Sequence, residues 1–187
     1  SWSVHATPCG SRRVSPGQAA FTIGHSTRSV EDFIALLLAH RIELVVDVRT
    51  VPRSRRNPQF NRETLPQSLQ QADVGYEHVA ALGGFRRPSP HSPNAGWLNA
   101  SFRGYADYMQ TAAFGAAIER LAERAHRQRL AVMCAEAVPW RCHRSLIADA
   151  LVVRGIPVEE IISTTRTQPH AMTSFSRVEG TIVTYPG

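Results

Sequence analysis

The chain contains no lysine; every one of its 21 Lys-plus-Arg positions is arginine. A lysine Schiff base, the device of many lyases that act on sugar aldehydes, is therefore excluded, save through a terminal amine. Arginine carries a planar fork suited to phosphate and carboxylate, although a uniform lack of lysine also follows from genome base composition. Cysteine is scarce as well. Its count of 3 is odd, and Cys134 and Cys142 share one short segment, which suits reduced thiols better than a disulfide framework. Long apolar runs are missing: the stretch Phe33-Ile34-Ala35-Leu36-Leu37-Leu38-Ala39 falls far short of a membrane span, and the first residues lack the apolar core of a signal peptide. The expectation is a cytoplasmic chain with no membrane partner.

What is present fits one domain. A chain of 187 residues with 43% hydrophobic content can bury a full core, and its formal charge of +6 leaves an anionic partner open. Residues 1–19 are rich in Ser, Pro, Gly and Arg and read as a flexible leader that includes Cys9, leaving residues 20–187 as the folded domain. Strand-like runs fall at 21–23, 43–48, 75–79, 130–134, 158–162 and 181–185. Helical patterns fall at 29–40, opened by the Ser29/Asp32 capping box, and at 62–71, 105–126 and 141–154. Residues 80–104 read as a long irregular insert covering a site. Alternating strands and helices predict an α/β fold: a single three-layer domain with a mostly parallel sheet, Rossmann-like or flavodoxin-like.

In a parallel sheet, ligands gather beyond the carboxyl ends of the strands. There the chain places Gly24-His25-Ser26, Asp47-Val48-Arg49, and the dense segment Cys134-Ala135-Glu136-Ala137-Val138-Pro139-Trp140-Arg141-Cys142-His143-Arg144. Asp47 sits on an apolar strand, where a charge needs a partner. With Arg49 it reads either as catalytic machinery or as a structural ion-pair network reaching His143 or Arg144. Glu136 reads as a carboxylate facing Asp47, a pairing suited to acid/base cleavage of a glycosidic bond, or as the neutralising partner of Arg141 or Arg144. His25 reads as a proton carrier or as a ring bonded to neighbouring backbone. Ser26 and Ser29 read as helix caps.

Three readings apply to Cys134 and Cys142. As packed apolar residues they need no reactivity, and this is the preferred one. As thiol nucleophiles they sit between a strand and a helix start, where a thiol pKa falls, yet Cys134 and Arg141 stand one residue further apart than the anion cradle of thiol phosphatases requires. As zinc ligands with His143 they lack a C-x2-C pair, so no metal is assigned, nor any cofactor. The loop 49–62 carries Arg49, Arg53, Arg55, Arg56 and Arg62 among Ser54, Asn57, Gln59, Phe60 and Asn61, which suits a phosphate backbone and a stacked base or else a solvated loop.

Taken together and in order, Thr22-Ile23-Gly24-His25-Ser26, Asp47-Val48-Arg49 with Pro52 and Ser54, Phe60-Asn61, Leu82-Gly83-Gly84, Tyr105-Ala106-Asp107-Tyr108-Met109, and Cys134-Ala135-Glu136 with Arg141-Cys142-His143-Arg144 closely resemble the family known as domain of unknown function 488. The resemblance runs from about residue 20 to Tyr185-Pro186. It implies a compact α/β domain of bacterial type, in a family of which some members carry a DNA-repair label, and it assigns no reaction and no catalytic residue.

The functional expectation is an enzyme or repair-associated protein acting on DNA, RNA or a small nucleotide-like anion. Arg49, Arg53, Ser54, Arg55, Arg56 and Arg144 would hold phosphate. His25 or His143 would move protons, and Asp47 or Glu136 would serve as the carboxylate in hydrolytic base release. The alternatives are a thiol-dependent enzyme at Cys134 and Cys142 and a non-catalytic nucleic-acid-binding module.

Overall fold

The computed structural model describes residues 19–187; the leader expected at 1–19 lies almost wholly outside them, as does Cys9. Five parallel strands form the body of the sheet: β1 (Ala20–Gly24), β2 (Leu44–Asp47), β3 (Gly75–His78), β4 (Leu130–Cys134) and β5 (Val158–Ile161). A short β6 (Thr167–Pro169) adds antiparallel to β5, so the order is β3-β2-β4-β1-β5-β6. This is the mostly parallel α/β domain expected from the sequence, with a strand order in which β4 lies between β1 and β2.

Residues alternate between the two faces of the central strands β1, β2 and β4 and are mostly apolar on both, because helices cover each side. Phe21, Ile23, Val45, Ala131 and Met133 meet Phe33, Leu36 and Leu37 of α1 (Val30–Ala39) and Leu65 and Leu69 of α2 (Leu65–Gln71). Leu44, Val46, Leu130, Val132 and Cys134 meet α4 (Ala112–Arg127) and α5 (Arg144–Val152) on the opposite face. Ser29 caps α1 by accepting from the Asp32 N–H at 3.1 Å.

The helix expected over 105–126 is two helices. α3 (Ala100–Tyr108) begins inside the supposed irregular insert, capped by Asn99, and α4 restarts after Thr111, whose Oγ1 accepts from the Phe114 N–H at 3.3 Å. Two polar caps within a continuous helical pattern mark separate helices more firmly than periodicity joins them. The last helix is also shorter than expected, since a 3-10 turn (Pro139–Arg141) precedes α5. The tail strand pairs not with the main sheet but with its own neighbour, as β7 (Arg177–Glu179) against β8 (Ile182–Thr184). Asp149 of α5 holds this tail through Tyr185 Oη at 2.8 Å, Thr173 Oγ1 at 2.7 Å and His170 Nε2 at 2.7 Å.

Among the described residues, no helix is long and apolar enough to cross a membrane.

Candidate active site

The loops leaving β1 and β2 both continue along the end of β4. His25 and Ser26 donate backbone N–H groups to the Cys134 and Ala135 carbonyls at 2.9 and 3.0 Å, and the Val48 N–H donates to the Met133 carbonyl at 3.1 Å. Three separate sequence clusters are thus laced to one strand end. Gly24 permits the approach, because a Cβ there would lie 1.9 Å from the Glu136 carbonyl oxygen.

Above this edge lies a cleft of about 420 Å³, within the usual range for small-molecule sites. His25, Arg49, Arg53, Ser54, Cys134, Glu136, Cys142 and His143 all line it. Arg55 and Arg56 are exposed and do not, while Asp47 and Arg144 are fully buried behind its wall. Its sides are completed by Thr50, Val51, Gly84, Phe85, Ser101, Phe102 and Arg141. Among the described residues, no group of three His, Cys, Asp or Glu side chains is arranged to hold a metal ion.

The floor is a pair of sulfurs. Cys142 Sγ stands 2.7 Å from Cys134 Sγ, and both residues are free thiols buried in the wall. Beneath them Arg144, the largest fully buried side chain, donates Nη1–H to Cys134 Sγ at 2.6 Å and to the Glu136 carbonyl. Its Nη2 donates to the Ala137 carbonyl at 3.1 Å and to Glu160 Oε1 at 2.9 Å, and the other Glu160 oxygen accepts from Thr22. Burial works against the Arg144 charge, but Cys134, Glu160 and Cys142 hold its pKa above the ordinary arginine value. Burial likewise raises Glu160, against the pull of Arg144. Glu160 was not foreseen from sequence, although it carries the same signal as Asp47, a charged side chain buried on an apolar strand.

Cys142 also meets His143 Nδ1 at 3.6 Å and the Arg144 backbone N–H at 3.5 Å. The Cys142 thiol is lowered to about 4, first by its hydrogen bond with Cys134, against burial, and then by His143 and Arg144. Burial and the proton held against Cys142 push Cys134 well above its ordinary value. The two sulfurs titrate as one coupled pair, in which Arg144 against Cys134 and His143 against Cys142 favour a single shared thiolate while burial opposes it.

His143 is oriented from behind. Since a carbonyl only accepts, its Nε2 carries the proton donated to Val48 at 3.0 Å, which turns Nδ1 toward Cys142. Gly84 makes room for this ring, because a Cβ would approach Nδ1 to 2.6 Å. His25 has the opposite tautomer: Nδ1–H donates to the Ser26 carbonyl at 2.8 Å, so Nε2 accepts from Arg49 Nη1 at 3.3 Å. Burial, with the Arg49 charge, lowers His25 to about 4, against the bond to Ser26, and its ring stacks on Phe60 at 4.3 Å between centroids.

Asp47 and Glu136 do not face one another. Asp47 accepts from Arg49 Nε at 2.9 Å and Nη2 at 2.6 Å and from Tyr76 Oη at 2.6 Å, which spends its oxygens inside the wall. Burial and this bond to Asp47 raise Tyr76 above the ordinary phenol value. Glu136 is exposed, and its Oε1 accepts from the Val138 N–H at 3.2 Å. In the loop, Asn61 Oδ1 accepts the Ser54 N–H at 2.6 Å and Ser54 Oγ accepts the Asn57 N–H at 3.0 Å, while Arg53 reaches Glu63 at 3.4 Å on the exposed side.

The fold and the cleft define an α/β protein with a paired-thiol site at the carboxyl end of its central strands. The chain belongs to the family described as Domain of unknown function DUF488, whose model matches residues 29–151. That span holds both cysteines, His143, Arg144 and Arg49, and leaves His25 and Glu160 outside it. No curated protein and no solved structure matches the chain.

Proposed function

We propose that the protein is a cysteine-dependent enzyme acting on a small anionic, nucleotide-like substrate, with Cys142 as the nucleophile. The observation that carries this reading is the placement of Cys142 Sγ between Cys134 at 2.7 Å and His143 Nδ1 at 3.6 Å on the floor of an open cleft. A thiolate formed without a strong external base is the activated nucleophile of thiol catalysis. Arg49, Arg53 and Arg141 line the same cleft and supply charge to an anion, and Phe85 and Phe102 supply faces for a planar ring.

In the reaction, Cys142 Sγ attacks an electrophilic centre of the bound anion. The bond to the leaving group breaks, and His143, having taken the thiol proton at Nδ1, returns it to that group. Water then gives a proton to His143 Nδ1 and its oxygen to the substrate, the bond to Cys142 Sγ breaks, and the thiolate is restored. The carboxylate-pair mechanism is less well supported, because both oxygens of Asp47 are committed to Arg49 and Tyr76. Glu136 remains a cleft carboxylate able to serve the leaving group.

The test is alkylation of Cys142 by iodoacetamide across pH, followed by peptide mass spectrometry, with and without adenosine monophosphate. The expected rate is nearly flat from about pH 6 to 8 and is slowed by the nucleotide. A rate that climbs with a midpoint near the ordinary thiol value of about 8.5 removes Cys142 as nucleophile.

A further inference from the structure

The nucleophile reading uses one sulfur and leaves Cys134 beside it, yet the geometry makes the two thiols a couple. Their sulfurs are already in contact, 2.7 Å apart, at the end of one strand and just before one helix. Both line the cleft, and Cys142 is the more open of the two at 7% exposure against 3%. An attacking and a resolving thiol are thereby distinguished by access. Arg144 touches Cys134 at 2.6 Å and stabilises the sulfur from which a proton must leave. On oxidation Arg144 keeps Glu160 and two backbone carbonyls, so its charge is not orphaned.

We propose that Cys134 and Cys142 form a reversible dithiol–disulfide couple that exchanges with low-molecular-weight disulfides entering the cleft. The inference rests on the thiol reading of this site and adds a second reactive sulfur. Cys142 thiolate attacks one sulfur of the small disulfide, the external S–S bond breaks, and one small thiolate leaves. Cys134 then gives its proton to that thiolate and attacks Cys142 Sγ, which expels the second small thiolate; solvent protonates it. The two protein thiols are oxidised and the small disulfide is reduced to two thiols. Arg49, Arg53 and Arg141 beside the sulfurs favour an anionic exchange partner such as glutathione disulfide. Oxidation consumes the Cys142 thiolate, so the couple also switches off the nucleophile.

The experiment uses the full chain carrying Cys9→Ser, equilibrated in glutathione buffers of rising disulfide-to-thiol ratio, acid-quenched, blocked with N-ethylmaleimide and weighed intact. The expected result is a species that has lost two hydrogens and takes up no maleimide, appearing with a single midpoint. Cys134→Ser in the same background is expected to stop at a mixed disulfide on Cys142. Two thiols that stay alkylatable at the highest ratio, or that each carry glutathione with no internal bond, overturn the couple. Iodoacetamide reactivity of the reduced protein at about pH 6 separates the two proposals. A fast Cys142 that never forms the internal bond retains the nucleophile and rejects the couple. An internal bond formed by a slow Cys142 does the reverse.

Discussion

His143 donates Nε2–H to the Val48 carbonyl at 3.0 Å, and that bond turns Nδ1 toward Cys142 at 3.6 Å. The end of β2 thereby sets the tautomer of a ring that acts on a thiol near the end of β4. Cys142 is nonetheless held ionised first by Cys134 and only then by His143. Cys134→Ala is accordingly expected to raise the pH midpoint of Cys142 alkylation further than His143→Ala does. Equal midpoints, or the reverse order, contradict Cys134 as the main cause of the lowered Cys142 value.

Stability should rise with pH on the acid side. His25 is lowered to about 4 from an unfolded value near 6.5, and Cys142 to about 4 from an ordinary thiol value near 8.5. In both cases the unfolded chain binds more protons than the native one across the intervening range. The His25 contribution is complete above about pH 6.5 and the Cys142 contribution above about 8.5; both are lost as pH falls towards 4. Cys134, pushed upward, acts in the opposite sense above about pH 8.5 and brings the rise to an end. Urea midpoints measured from about pH 4.5 to 8.5 should increase, and His25→Phe should remove the steepest part below about pH 6.5, worth up to ~3 kcal/mol. A flat profile in the native chain would contradict the neutral, buried state of His25.

Arg144 and Glu160 form a buried ion pair whose guanidinium also serves the sulfurs. Removing one member strands the other charge, so Arg144→Met or Glu160→Met should cost about 3–5 kcal/mol in urea unfolding. The double substitution should lose less than the sum of the two, because neither charge is then left alone. Additive losses would show that the two side chains do not act as a pair.

Gly24 and Gly84 should fail in different ways. A methyl at Gly24 meets the Glu136 backbone, while one at Gly84 meets the His143 ring. Gly24→Ala is expected to lose about 1–3 kcal/mol by overpacking. Gly84→Ala should lose little stability, since a side chain can turn aside, but should slow Cys142 alkylation at neutral pH by displacing Nδ1. Slowed alkylation with no structural loss in Gly24→Ala, or unfolding in Gly84→Ala, would reverse these roles.

Much of this protein could be read along the chain. Apolar runs bounded by polar turns predict the strands at Phe21, Val45 and Val132, because a strand buried on both faces must be continuously apolar. The gathering of His25, Arg49 and the Cys134–Arg144 segment at one sheet edge follows from parallel strands running in one direction. Tertiary structure alone decided what those residues do. Asp47 and Glu136 were equivalent carboxylates in sequence, but Tyr76 and Arg49 close around Asp47 inside the wall while Glu136 stays in the open cleft. Cys134 and Cys142 read best as packing residues; the turn at Pro139–Arg141 brings their sulfurs together, and Arg144 slides beneath them to meet Glu160 from β5. Sequence spacing records which groups can approach one edge. Hydrogen bonds and charge at distances of a few ångströms determine which proton each group keeps, and those distances exist only once the chain is folded.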